Sequence, residues 1–208
     1  MKRMFADCKS LNKLSFGEEF VTSKVTNMSS MFAGCSALQT LDVSEFDTSN
    51  VTDMAGMFEG CAATSLNITS FDTSSVQVMI RMFANSKSLK TIYVGENFDT
   101  RKVTNSVDMF LACNSLVGGQ GTAYNEAHID KGYARIDKGT TAPGYFTAAG
   151  AAAALDEAVE TDSIAPPSGA AAQEGTAPGQ QISGSKKNIT TDFGGMEFIT
   201  TTVLNAAA

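Results

Sequence analysis

Tryptophan is absent from the 208 residues, histidine occurs once, at His128, and proline only four times. With one imidazole in the chain, a nucleophile that needs a base has a single place to find it. No apolar run approaches the roughly 20 residues that cross a bilayer, and the N-terminus lacks a charged segment followed by an apolar one. The chain is therefore expected to carry neither an export signal nor a membrane-inserted segment. Clustered basic residues are also missing: 15 Lys and Arg stand against 22 Asp and Glu, a net charge of -7. Polyanions are held by several neighbouring cations that release counterions, so nucleic acid is excluded as a partner.

The charge is unevenly placed. Residues 1 to 147 carry 13 basic and 15 acidic groups, whereas residues 148 to 208 carry 2 and 7. The first stretch repeats one phrase. Met4-Phe5, Met31-Phe32, Met57-Phe58, Met82-Phe83 and Met109-Phe110 are spaced by 27, 26, 25 and 27 residues. A period of this length marks a repeat architecture in which each unit closes its core on its neighbours. Met1 stands three residues before Met4, as Met28 does before Met31. Met1 is on this reading an internal repeat methionine and the chain the C-terminal part of a longer protein.

Leu38, Leu41 and Val43 have the spacing of a short strand, echoed by Leu11, Leu14 and Phe16, by Leu66 and Ile68, and by Leu89, Ile92 and Val94. The third repeat is one residue short near Ala63. An aromatic follows each strand, at Phe20, Phe46, Phe71 and Phe98, then a polar corner. Val51, Met54, Met57 and Phe58 next have helical spacing, with Gly60 placed as a left-handed C-cap. The expected fold is thus an α/β repeat with one strand and one short helix per coil.

Cys8, Cys35, Cys61 and Cys113 each fall four residues after the repeat methionine, and Ser86 takes that place in the fourth repeat. Replacement by another small residue points to size, so the thiols read as buried core groups. A shared zinc ion fails on distance, because equivalent positions step by about 4.8 Å and ligands must lie within about 2.3 Å of the metal. Asp47, Asp72 and Asp99 form a tempting row for calcium. Short oxygens before an apolar run more simply serve a turn and a cap. Gly118 to Gly121, "GGQG", lacks the Lys-Ser or Lys-Thr of a phosphate loop and reads as a turn. No cofactor and no metal are expected, and no catalytic residues.

The recurring "FDTSNVTDM" and "MFAGCSALQTLDVSEFDTSNVTDMAGMFEGC" resemble the BspA-type leucine-rich repeat proteins, bacterial surface proteins whose repeat is also described as a domain of unknown function in mycoplasma lipoproteins. The resemblance runs from Met1 to Thr147 and includes the ending Asn114 to Thr147, similar to a module that closes such arrays. It implies a right-handed leucine-rich-repeat-like solenoid of four to five coils of 25 to 27 residues. It also implies a cell-surface or secreted location, and adhesion or binding to ligands on host or neighbouring cells.

Three segments follow: a repeat solenoid over 1–113, a C-terminal β cap over 114–147 with a hairpin from Tyr133 to Ile136 and Tyr145-Phe146, and an Ala/Gly/Pro-rich tail over 148–208. The tail has too little bulky apolar surface to offset ordering, and is expected to be a flexible linker with a short helix over Ala151 to Val159 and strand-like composition from Phe198 to Leu204. Ligands are expected on the strand face, at the outward residues Lys13, Ser15, Thr40, Asp42, Ser65, Asn67, Thr91 and Tyr93. Tyr93 leads, as an exposed aromatic. The expectation is a monomeric, non-enzymatic module binding protein or glycan; the alternative is a stalk that projects another domain.

Overall fold

The computed structural model describes residues 1–17 and 19–150. The linker, helix and strand expected beyond Gly150 lie outside the described residues.

Each repeat contributes a short strand with its apolar residues facing inward. These are β1 (Lys13–Leu14), β2 (Thr40–Leu41), β3 (Ser65–Ile68) and β4 (Thr91–Val94), joined by a final β5 (Phe146–Ala148). All pairings are parallel. They form two small sheets, β1-β2 and β3-β4-β5, instead of one continuous sheet. The break falls at the repeat that is one residue short. There Ala63 takes the inward place that Leu38 holds one repeat earlier, and both are buried.

The expected α/β leucine-rich-repeat-like solenoid is overturned on this point and on its helices. Two small parallel sheets do not close a solenoid, and residues 1–149 contain no α-helix among those described. The stretches with helical spacing are paired β-turns. In the second repeat Met31 N donates to Met28 O at 3.2 Å and Cys35 N to Phe32 O at 3.3 Å. The third residue of each turn, Ser30 and Gly34, has positive φ of 53° and 71°. Such a residue is what a type II turn demands and what a right-handed helix forbids. The same two places are left-handed in every repeat, one residue before the methionine and three after it: Arg3 and Asp7, Gly56 and Gly60, Arg81 and Asn85, Asp108 and Ala112.

The backbone groups a helix would satisfy internally go to the next repeat. Arg3, Phe5 and Asp7 donate to Ser29, Met31 and Ala33, and Ser30, Phe32 and Gly34 donate to Ala55, Met57 and Glu59. Alternate N–H groups are thereby bonded across repeats, which meets the requirement that buried main-chain groups find partners.

This ladder encloses one apolar core. Phe5, Phe32, Phe58, Phe83 and Phe110 form a column with centroid steps of 5.6, 5.8, 5.8 and 5.5 Å and nearly parallel rings. Met28, Met31, Met54, Met57, Met79, Met82 and Met109 fill the space beside it without solvent exposure. The core thiols also lie here: Cys35, Cys61 and Cys113 are buried and Cys8 is half-buried. Cys35 Sγ donates to Phe5 O and Cys113 Sγ to Phe83 O, both at 3.0 Å, and Ser86 Oγ makes the equivalent bond to Phe58 O at 2.7 Å. Serine therefore replaces cysteine with its hydrogen bond kept. Burial pushes the Cys35 thiol up to about 11 and that of Cys113 to about 12. A disulfide-exchange reagent at pH 8 is expected to label Cys8 first, with the other three reacting only at the rate of unfolding. Rapid labelling of all four in the native protein would contradict this packing.

The ending is not the expected hairpin. Lys131–Tyr133 is a turn of 3-10 helix, Ile136 bridges Phe146 in parallel, and Phe146 continues the sheet beside Ile92. Tyr145 and Phe146, both without exposure, cover the end of the phenylalanine column edge-on at 5.1 and 5.9 Å from Phe110.

Candidate functional site

On the strand face, alternation places side chains on opposite sides of the sheet. Lys13, Ser15, Thr40, Asp42, Ser65 and Asn67 are exposed, while Leu14, Val43, Leu66 and Ile68 between them are buried. The register sets Lys13 beside Thr40 and Ser65 beside Thr91. The break between β2 and β3 separates the first four residues from Ser65 and Asn67. Thr91 is half-buried, and Tyr93 is only 8% exposed because β5 pairs against β4 and sets Thr147 beside it. The expected leading aromatic is thus part of the packing. The sequence carried no signal that residues 146–148 would add a strand there.

The polar corners are bound up in structure. Buried Thr48 donates its hydroxyl to Asp72 O and accepts from Asp72 N, both at 2.9 Å, and Thr22–Asp47 and Thr73–Asp99 repeat the exchange. The aspartate side chains close turns: Asp47 Oδ1 accepts from Ser49 N, Asp72 Oδ1 from Ser74 N and Asp99 Oδ1 from Arg101 N. Hydrogen bonds from Ser49 hold the Asp47 carboxyl below its usual range, and those from Arg101 do the same for Asp99. These carboxylates act as turn acceptors, and the expected helix cap has no helix to serve. Among the described residues, no group of three or more His, Cys, Asp and Glu is placed to hold a metal ion.

His128 stacks on Tyr133, with centroids 4.2 Å apart and rings 14° from parallel. The "GGQG" turn encloses an internal anion. Gln120 N and Thr122 N donate to Asp137 Oδ2 at 2.8 and 3.0 Å, and Thr122 Oγ1 and Gly139 N to Asp137 Oδ1 at 2.7 and 2.9 Å. A Cβ at Gly118 would stand 2.1 Å from Gly144 O and 2.6 Å from Asp137 Oδ2, so the turn can approach only as glycine.

Between the fourth repeat and the ending lies a cleft of about 570 Å³, a volume within the roughly 300–1,000 Å³ of small-ligand sites. Its apolar lining includes Val94, Phe98, Ile136 and Phe146. Asp72, Glu96, Asp99 and Arg101 line it from the repeats, and Arg135 and Lys138 from the ending. Sequence reading did not find it, because its two walls are over thirty residues apart in the chain. The one available signal was the tetrapeptide Ile-Asp-Lys-Gly, which occurs twice, at 129–132 and 136–139. Its first lysine, Lys131, turns inward and donates to Thr100 O at 3.4 Å and to Val103 O, closing the last repeat. Its second, Lys138, is exposed at the cleft.

No helix among the described residues is long and apolar enough to cross a membrane. The family model described as "Mycoplasma protein of unknown function, DUF285" matches residues 1–120. No curated protein and no solved structure matches the chain.

Proposed function

The chain belongs to the DUF285 family of mycoplasma proteins of unknown function, and from that premise we propose that it is a non-enzymatic binding or adhesion module displayed at the cell surface. It recognises protein or glycan ligands through the exposed residues Lys13, Thr40, Ser65 and Asn67 of the strands and Ser15 and Asp42 just after β1 and β2. The observation that carries this reading is their exposure on the side opposite the buried Leu14, Val43, Leu66 and Ile68, with Lys13 and Thr40 in register. Such a face varies its chemistry without disturbing the fold. The BspA-type resemblance supports the same reading, since those proteins work at the bacterial surface.

The chemistry present favours binding over catalysis. The sole imidazole is stacked on Tyr133, and three of the four thiols are buried with their ionisation suppressed by desolvation. A thiol nucleophile works as thiolate, with a base close by. The test is attachment of the purified chain to glycan and host-protein arrays, repeated with Lys13→Ala and Asp42→Ala together. A loss of about tenfold, the equivalent of about 1.4 kcal/mol, is expected with the folding transition kept. Binding that is indifferent to both substitutions returns the role to a stalk.

A further inference from the structure

We propose that the cleft between the fourth repeat and the ending binds a short extended peptide that carries a cationic group at one end and a carboxylate at the other. This site is separate from the strand face and stands or falls without it. The two walls differ in charge. On the repeat side Asp72, Glu96 and Asp99 outnumber Arg101, whose guanidinium is already paired with Asp99 at 2.6 Å. On the other side stand Arg135 and Lys138 with no acid among the lining residues there.

The fold does not use all of these charges. Lys138 serves it through the main chain, donating its N–H to Ala142 O and accepting the Thr141 hydroxyl at its carbonyl. Its ammonium has no partner among the described residues, and neither has the exposed Glu96 carboxylate. Arg135 gives Nε to Pro143 O at 2.9 Å and sets its guanidinium over the Tyr133 ring, 5.8 Å from the centroid, which leaves both Nη groups without a hydrogen-bond partner among the described residues. An anionic ligand would meet the acidic wall and a cationic one the basic wall. A neutral sugar would gain little from charges held apart. A chain with both signs and an apolar middle is answered at each end and along the Val94, Ile136 and Phe146 surface.

The experiment is calorimetric titration of the full chain with the tetrapeptide Lys-Leu-Leu-Glu, with the end-blocked neutral peptide Gln-Leu-Leu-Gln, and with a neutral tetrasaccharide. The expected result is binding of the charged peptide at least tenfold tighter than either neutral probe, weakening as salt is raised. Glu96→Gln and Lys138→Gln are each expected to cost several-fold in affinity while circular dichroism stays unchanged, since neither side chain holds the fold. Lys13→Ala with Asp42→Ala leaves this binding intact, which separates the outcome from that of the strand face. No binding of the charged peptide, equal binding of the neutral peptide, preference for the sugar, or indifference to both substitutions overturns the proposal.

Discussion

Phe58→Ala is expected to destabilise the protein by about 3–5 kcal/mol, the usual cost of removing a fully buried ring. Its ring has no exposure and stands between Phe32 and Phe83, 5.8 Å from each, with interplanar angles of 13° and 5°. Neighbouring repeats are also bonded through the main chain on both sides of it, where Phe32 N donates to Met57 O and Phe58 N to Met82 O. Those bonds keep the flanking turns in place, so the gap cannot fully collapse and the cavity cost persists. Phe58→Leu retains most of the volume and is expected to cost less than half as much. Val21→Ala, at a side chain 66% exposed in the first repeat, is the control and should shift stability by no more than about 0.5 kcal/mol. Denaturant titration of the three variants measures the series. Equal losses for Phe58→Ala and Val21→Ala would refute a continuous core through the third repeat.

The same column shows how far the sequence could be read. The period, the inward apolar positions and the equivalence of cysteine with Ser86 were legible, because packing against an identical neighbour imposes the same side chain at the same place each time. The helix was misread for a physical reason. Apolar residues at i and i+3 lie together on a helix, but a β-turn also brings i and i+3 together, as Met28–Met31 and Phe32–Cys35 do. Only the left-handed third residue distinguishes the two, and it is glycine at just three of the ten places. Arg3, Ser30, Arg81 and Asp108 occupy a conformation costing about 1–2 kcal/mol without declaring it by type. The bonds between repeats offset that cost, and no local pattern reports them. The candidate site was legible in its polar alternation and hidden where a distant segment arrives: β5 buries Tyr93, and residues 134–142 build one wall of the cleft.

Asp137→Ala is expected to cost about 3 kcal/mol, because it takes the charged acceptor from three backbone N–H groups and the Thr122 hydroxyl in a part-buried turn. The side chain is 4% exposed. Burial by itself would push its carboxyl up, yet the hydroxyl of Thr122 and the amides of Thr122, Gln120 and Gly139 outweigh it and bring the group down to about 2, from an ordinary 3.8. The sign follows. A carboxylate whose folded value is depressed adds stability that is complete above the unfolded value and disappears as pH falls from about 4 toward about 2. Asp47 and Asp99 are lowered as well and slope the same way, so the wild-type profile alone does not isolate Asp137. The difference between wild type and Asp137→Asn does: the asparagine keeps the shape, loses the charge, and should make the difference in unfolding free energy shrink across that window. A difference that stays constant from pH 6 to pH 2 would mean that the turn around Asp137 is held by shape and not by its charge.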